Sequence, residues 1–87
     1  MTLTELQYIV VVAQERHFSR AAERAFVTQP ALSQAIKKLE DELGTMIFER
    51  RRNHIELTPL GEQIVHQAQR VLEEAEHIKL IAAQGKD

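Results

Sequence analysis

The sequence predicts a mainly α-helical fold: three helices and a two-stranded wing, followed by one long helix. Three observations carry that expectation. Residues 28–44 read as a capped amphipathic helix, and a short Ala-rich helix stands just before it with room only for a tight corner between them. The apolar period shortens to that of a strand only around residues 46–57. At 87 residues the chain is one domain with an extension, 1–57 forming the head and 58–87 the linker helix.

The elements follow in order. Thr2 and Glu5 form a capping box, each satisfying a free backbone N–H at the start of the first helix. Leu6, Ile9, Val10 and Ala13 share one side of it, and it should end near Arg16 or His17. Phe18 is expected as an apolar staple ahead of a cap at Ser19, which opens a helix over 20–25. Ala21, Ala22 and Ala25 are small enough to let the next helix approach closely. Phe26 and Val27 make an apolar corner, and Thr28 caps the second helix of the pair with Pro30 in its first turn. Leu32, Ile36, Leu39 and Leu43, at steps of four, three and four, form one inward stripe. Opposite it fall Pro30, Ser33, Gln34, Lys37 and Asp41, with Lys38 on a flank. Gly44 stops the helix.

Residues 46–50 and 54–57 read as two short strands around an Arg51-Arg52-Asn53 tip, a wing that must lean on the helices to be stable. Thr58 and Pro59 open the final helix. Gly61, Ile64, Ala68, Val71, Ala75, Ile78 and Ala82 run along it as a heptad seam, widened by Leu60, Val65 and Leu72. About 26 helical residues span roughly 40 Å, more than so small a head can cover. Ile64, Ala68, Val71, Leu72, Ala75, Ile78 and Ala82 are therefore the expected dimerisation residues.

Composition narrows the function classes. The chain is 44% apolar and carries a net charge of −2, the balance of a folded, soluble domain. Residues 1–57 hold eight Lys/Arg against eight Asp/Glu, but the cations bunch at Lys37-Lys38 and Arg50-Arg51-Arg52. Such clusters can hold phosphates while acids elsewhere keep the protein soluble. The absence of cysteine excludes disulfide stapling, zinc-finger architecture and thiol chemistry in this stretch. No apolar run is long enough to cross a bilayer and no signal pattern opens the chain, so a cytoplasmic location is expected. Enzymatic readings find no support: there is no Gly-rich phosphate loop and no nucleophile–base spacing. Glu74 and His77 repeat the Glu-x-x-His spacing of carboxylate-bridged metal bundles, but only one copy occurs, and solvent-facing helix polarity accounts for it. Neither metal nor cofactor is expected.

A helix held firmly by another, with its outer face free, is what entry into a DNA major groove requires. Gln29, Pro30, Ser33 and Gln34 are the candidates for base contact: amides pair with adenine, a hydroxyl suits several bases, and Pro30 can touch a thymine methyl. Thr28, Lys37, Lys38 and Arg50 are the candidates for the phosphate backbone. Arg51, Arg52 and Asn53 at the wing tip are placed for an adjacent minor groove. Against this stands a protein-interaction module that uses the same fold only to dimerise or dock. It predicts a neutral outer face on the second helix of the pair.

The segments Phe18-Ser19-Arg20-Ala21-Ala22, Thr28-Gln29-Pro30-Ala31-Leu32-Ser33, Leu39-Glu40-Asp41-Glu42-Leu43-Gly44, Phe48-Glu49-Arg50 and Leu57-Thr58-Pro59-Leu60-Gly61 resemble the N-terminal domain of LysR-type transcriptional regulators over nearly the whole chain. Arg16-His17-Phe18 and residues 38–44 resemble the peroxide-responsive OxyR branch of that family. The resemblance implies a winged helix-turn-helix on double-stranded DNA, an inverted-repeat operator upstream of a promoter, and both activation and repression. It also implies a homodimer through the linker helix, tetramers in the full-length protein, and a C-terminal effector domain not contained in these residues. In the OxyR branch the redox cysteines belong to that effector domain. Two positions depart from the usual pattern: Thr28 replaces a common Ser, and Gln34 stands where many relatives are basic.

Overall fold

The computed structural model describes residues 1–52 and 54–86; Asn53 of the expected wing tip lies outside them. The order is α1 (Leu3–Glu15), α2 (Phe18–Ala25), α3 (Gln29–Leu43), β1 (Phe48–Arg50), β2 (Ile55–Leu57) and α4 (Pro59–Gln84). The first helix starts as its sequence predicts, with Glu5 N donating to Thr2 Oγ1 at 3.1 Å and Thr2 N donating to Glu5 Oε1 at 2.8 Å. It ends at Arg16, which turns into the left-handed region at φ 54° while its N–H closes on the Val12 carbonyl at 2.7 Å.

The start of α2 differs from the expectation. His17, not Ser19, is the cap, its Nδ1 accepting from Arg20 N at 3.3 Å. Phe18 packs half-buried against the core, which draws it into the first helical turn and moves the cap one residue ahead of it. On α3, Thr28 Oγ1 accepts from Ala31 N at 3.2 Å, and Leu32, Ile36 and Leu39 are buried. Leu43 is not part of that stripe: it is 40% exposed, and its neighbours Asp41, Glu42 and Gly44 are exposed too, because the last turn of α3 runs past the core.

The strands are shorter than expected. They pair antiparallel with Phe48 opposite Leu57 and Arg50 opposite Ile55, and Arg51 N donates to the His54 carbonyl at 2.8 Å across the turn. Ile47, read from sequence as strand, is fully buried but belongs to a different hydrogen-bonding arrangement. The buried Glu40 carboxylate accepts from Ile47 N at 2.8 Å and Phe48 N at 3.2 Å, while the Ile47 carbonyl accepts from Thr58 N at 3.0 Å. The wing is thus fastened to α3 on one side and to the start of α4 on the other. Gly61 is the residue that lets α4 come so close: a β-carbon there would stand 2.9 Å from the Ile47 carbonyl carbon and from Thr58 Oγ1.

The expected single seam of α4 resolves into two stripes. At about 100° per residue, Gly61, Val65, Ala68 and Leu72 fall in an arc of roughly 60°, and Ile64, Val71, Ala75, Ile78 and Ala82 in another about a quarter turn away. The first stripe faces this chain's own core: Gly61, Val65 and Ala68 are buried and Leu72 packs against them. Buried Ala68 is therefore used within the chain rather than on an outer seam, while Leu72 and, from the second stripe, Ile64 are half-buried against the edge of the same core. Along the second stripe Ile64 and Ala75 are half-buried, Val71 is 36% exposed and Ile78 68%. Helix α4 carries on beyond the head, and the molecule extends 53 Å along its longest axis against 25 and 19 Å along the others.

Candidate nucleic-acid interface

The face of α3 turned away from the core carries Gln29, Pro30, Gln34, Lys37 and Lys38, all exposed, with Ser33 half-buried among them and Thr28 exposed at the cap. Among the described residues no segment buries Thr28, Gln29, Pro30, Gln34, Lys37 or Lys38. The backbone N–H groups of the first turn give this end of the helix a partial positive charge, which favours an anion beside Thr28. Lys37 Nζ lies 3.9 Å from Asp41 Oδ2, but both side chains are more than 70% exposed, so water screens the pair and the ammonium is available to a phosphate.

Beside this face lies a cleft of about 390 Å³ that sequence alone did not reveal. Its walls are the α1–α2 corner (Arg16, His17, Ser19), the first residue of α3 (Gln29) and the wing (Arg50, Arg51, Arg52, His54). Four arginines and two histidines line it without an Asp or Glu among the described residues. At the left-handed turn that caps α1, the Arg16 side chain lines the same cleft as the wing, more than thirty residues away in sequence. The adjoining basic pair Arg16-His17 was the sequence feature that could have drawn attention to this corner. Glu40 was also missed as a positioning residue, because its partners are backbone groups that no side-chain pattern reports.

The three wing arginines have different neighbours. The Arg50 guanidinium lies over the Phe18 ring, 4.6 Å from its centroid. Arg51, expected from the sequence to be placed for a minor groove, pairs with Glu49 at 3.1 Å and Glu56 at 3.5 Å on the hairpin's own strands. His54 Nε2 lies 2.9 Å from Glu56 Oε1; that hydrogen bond, with the Arg51 charge behind it, holds the Glu56 carboxyl below the usual carboxylate range. Arg52 forms no ion pair among the described residues and lines the cleft. Glu74 and His77 are both exposed, and the described residues hold no cluster of three metal-ligating side chains.

A helix pair presenting one uncovered polar face, flanked by a basic hairpin, defines a winged helix-turn-helix domain shaped to meet a polyanion. Residues 3–62 match the bacterial regulatory helix-turn-helix proteins of the lysR family, and the chain belongs to that family. It is a DNA-binding regulatory domain rather than an enzyme, and it falls with the OxyR branch. The DNA-binding transcriptional dual regulator OxyR of Escherichia coli K12 is 45% identical over 97% of the chain. A variant of full-length OxyR from Pseudomonas aeruginosa superposes over the whole chain with a TM-score of 0.94 at 62% identity, the match covering 30% of that protein. The DNA-binding domain of CbnR, solved in complex with DNA, superposes over 100% of both chains with a TM-score of 0.93 at 31% identity. The chain spans 28% of the length of the E. coli relative.

Proposed function

We propose that this chain reads a specific double-stranded DNA sequence by laying the outer face of α3 in the major groove, as the DNA-binding end of a cytoplasmic peroxide-responsive regulator. The observation that carries the reading is the division of α3 into a buried apolar stripe and an uncovered polar face beside an arginine-lined cleft. Gln29, Pro30, Ser33 and Gln34 make the base contacts; Thr28, Lys37, Lys38 and Arg50 hold the backbone; Arg52 enters the adjacent minor groove. Arg51, engaged with two carboxylates, is left to brace the wing. Residues 1–57 form the reading head. Two copies pair through the outer stripe of α4 (Ile64, Val71, Ala75, Ile78 and Ala82), which matches a two-fold protein to an inverted-repeat operator. The effector domain of the whole protein would follow α4. With no cysteine in these residues, a peroxide-sensing thiol would belong to that domain.

The interaction-module reading is disfavoured by the two exposed lysines on the outer face of α3 and by the four arginines that line the neighbouring cleft. Selection from a random duplex pool, followed by titration in salt, tests the reading. Enrichment of an inverted repeat with half-sites about one helical turn apart supports it; recovery of no shared pattern refutes it. On the selected duplex, Lys37→Ala is expected to weaken binding to all sequences and to flatten the slope of log affinity against log salt by about one. Gln29→Ala is expected instead to narrow the gap between selected and mismatched duplexes by about 1–3 kcal/mol per base pair read. Uniform weakening by Gln29→Ala would remove it from the base-reading set.

A further inference from the structure

We infer that Phe18 is a positioning residue for DNA binding: its ring is the platform that holds the Arg50 guanidinium at the phosphate backbone, tying the wing to the helix pair. The inference rests on the DNA-binding reading above and adds to it a side chain that reaches no base or phosphate itself.

The geometry is specific. Arg50 sits on β1 and Phe18 opens α2, and the guanidinium carbon lies 4.6 Å from the ring centroid, within reach of the negative face of the π system. Phe18 is half-buried against the core, so its ring is a fixed surface, whereas a free arginine on a three-residue strand would sample many rotamers. The two side chains together border two cavities. One runs toward Arg16 and Gln29, the other toward Lys37 on the outer face of α3. Arg50 therefore stands on the ridge that a DNA strand must cross in passing from α3 to the wing. There a guanidinium can stack on the ring with one face and still offer its in-plane N–H groups to a phosphate oxygen. Neighbouring Arg51 is held otherwise, by Glu49 and Glu56, so the hairpin's own carboxylates do not compete for Arg50.

The test measures binding of a mixed-sequence 30-base-pair duplex by the 87-residue chain, across a salt series, for four variants: Phe18→Leu, Phe18→Tyr, Arg50→Ala, and Phe18→Leu with Arg50→Ala. Leu keeps apolar volume and removes the π face; Tyr keeps the face. Phe18→Leu is expected to bind about three- to tenfold more weakly. Its salt slope should be shallower by about one, matching Arg50→Ala, and the double variant should be no weaker than Arg50→Ala alone. Phe18→Tyr should bind as the unaltered chain does. Thermal melting establishes that each variant is folded. If Leu at position 18 does not fold, 3,4,5-trifluorophenylalanine in its place keeps the ring shape while withdrawing its negative face, and the same loss of affinity and slope is expected. An unchanged salt slope in a folded Phe18→Leu or trifluoro variant, or losses that add independently to that of Arg50→Ala, would overturn the inference. Failure of the unaltered chain to bind the duplex would instead overturn the DNA-binding reading on which it rests.

Discussion

Phe26 shows how much a single side chain can be at odds with its backbone. It caps α2 at φ 58° and is 94% exposed, so it adopts a conformation that disfavours a β-carbon and gains no burial in return within this chain. A left-handed residue other than glycine costs about 1–2 kcal/mol, part of which glycine returns through its freer unfolded state. Phe26→Gly is thus expected to stabilise the domain by about 0.5–1 kcal/mol, raising Tm by a few degrees; a lowered Tm would mean that the ring is held by contacts the fold does not show. From sequence this position read only as an apolar corner, since nothing in residue type distinguishes an outward Phe from an inward one. At Arg16 the same left-handed turn caps a helix whose end cation lines the cleft. Caps set by hydroxyls, as at Thr2, Thr28 and Thr58, were legible because the mechanism is local. His17 as a cap was not, because burial of Phe18 decided it.

The elements hold together through a few polar fastenings laid over apolar packing. Most telling is Glu40, whose buried carboxylate accepts two backbone N–H groups where the chain enters the wing. Removing that acceptor leaves two donors without partners inside the fold, whereas an amide oxygen can still serve them. Glu40→Ala is expected to cost about 2–3 kcal/mol and Glu40→Gln about half as much, read by thermal or denaturant melting. Equal losses for the two would show that the carboxylate's charge is required and that a neutral amide oxygen of the same size cannot serve the two donors. Periodicity identified α1, α3 and α4 because each buries a stripe long enough to outweigh local exceptions. It overextended the strands, since Met46 and Ile47 lead an apolar run into Phe48 while their backbone groups bond to Glu40 and Thr58 instead of a partner strand. The α3 face was legible from a helical wheel alone. The cleft beside it was not, because its walls come from three separate stretches of chain brought together only by folding.

At the scale of the molecule, the question is what keeps the far half of α4 helical. From Glu73 onward every described residue but Ala75 is exposed, and Ile78, Leu80 and Ile81 are each about 60–70% accessible. A helical stretch of that length is marginal in water without tertiary support. The outer stripe offers that support if a second α4 lies against it, and its mixture of Ala75 and Ala82 with Val71 and Ile78 suits close approach of two helices. Two stripes on one helix also explain why a single heptad seam was the natural but incomplete sequence reading: the core-facing positions and the outward ones interleave at three- and four-residue steps. They separate only once Gly61, Val65 and Ala68 are seen buried within the chain. Ile78→Asp touches the outer stripe alone, leaving the head intact. It is expected to shift the chain from dimer to monomer in sedimentation equilibrium at tens of micromolar, with loss of helical circular dichroism from the far half of α4. Binding to an inverted repeat should fall toward that of a single half-site, since the second head no longer arrives tethered to the first. A variant that remains dimeric, or an unaltered chain that is monomeric yet fully helical at that concentration, would remove the outer stripe as the pairing surface.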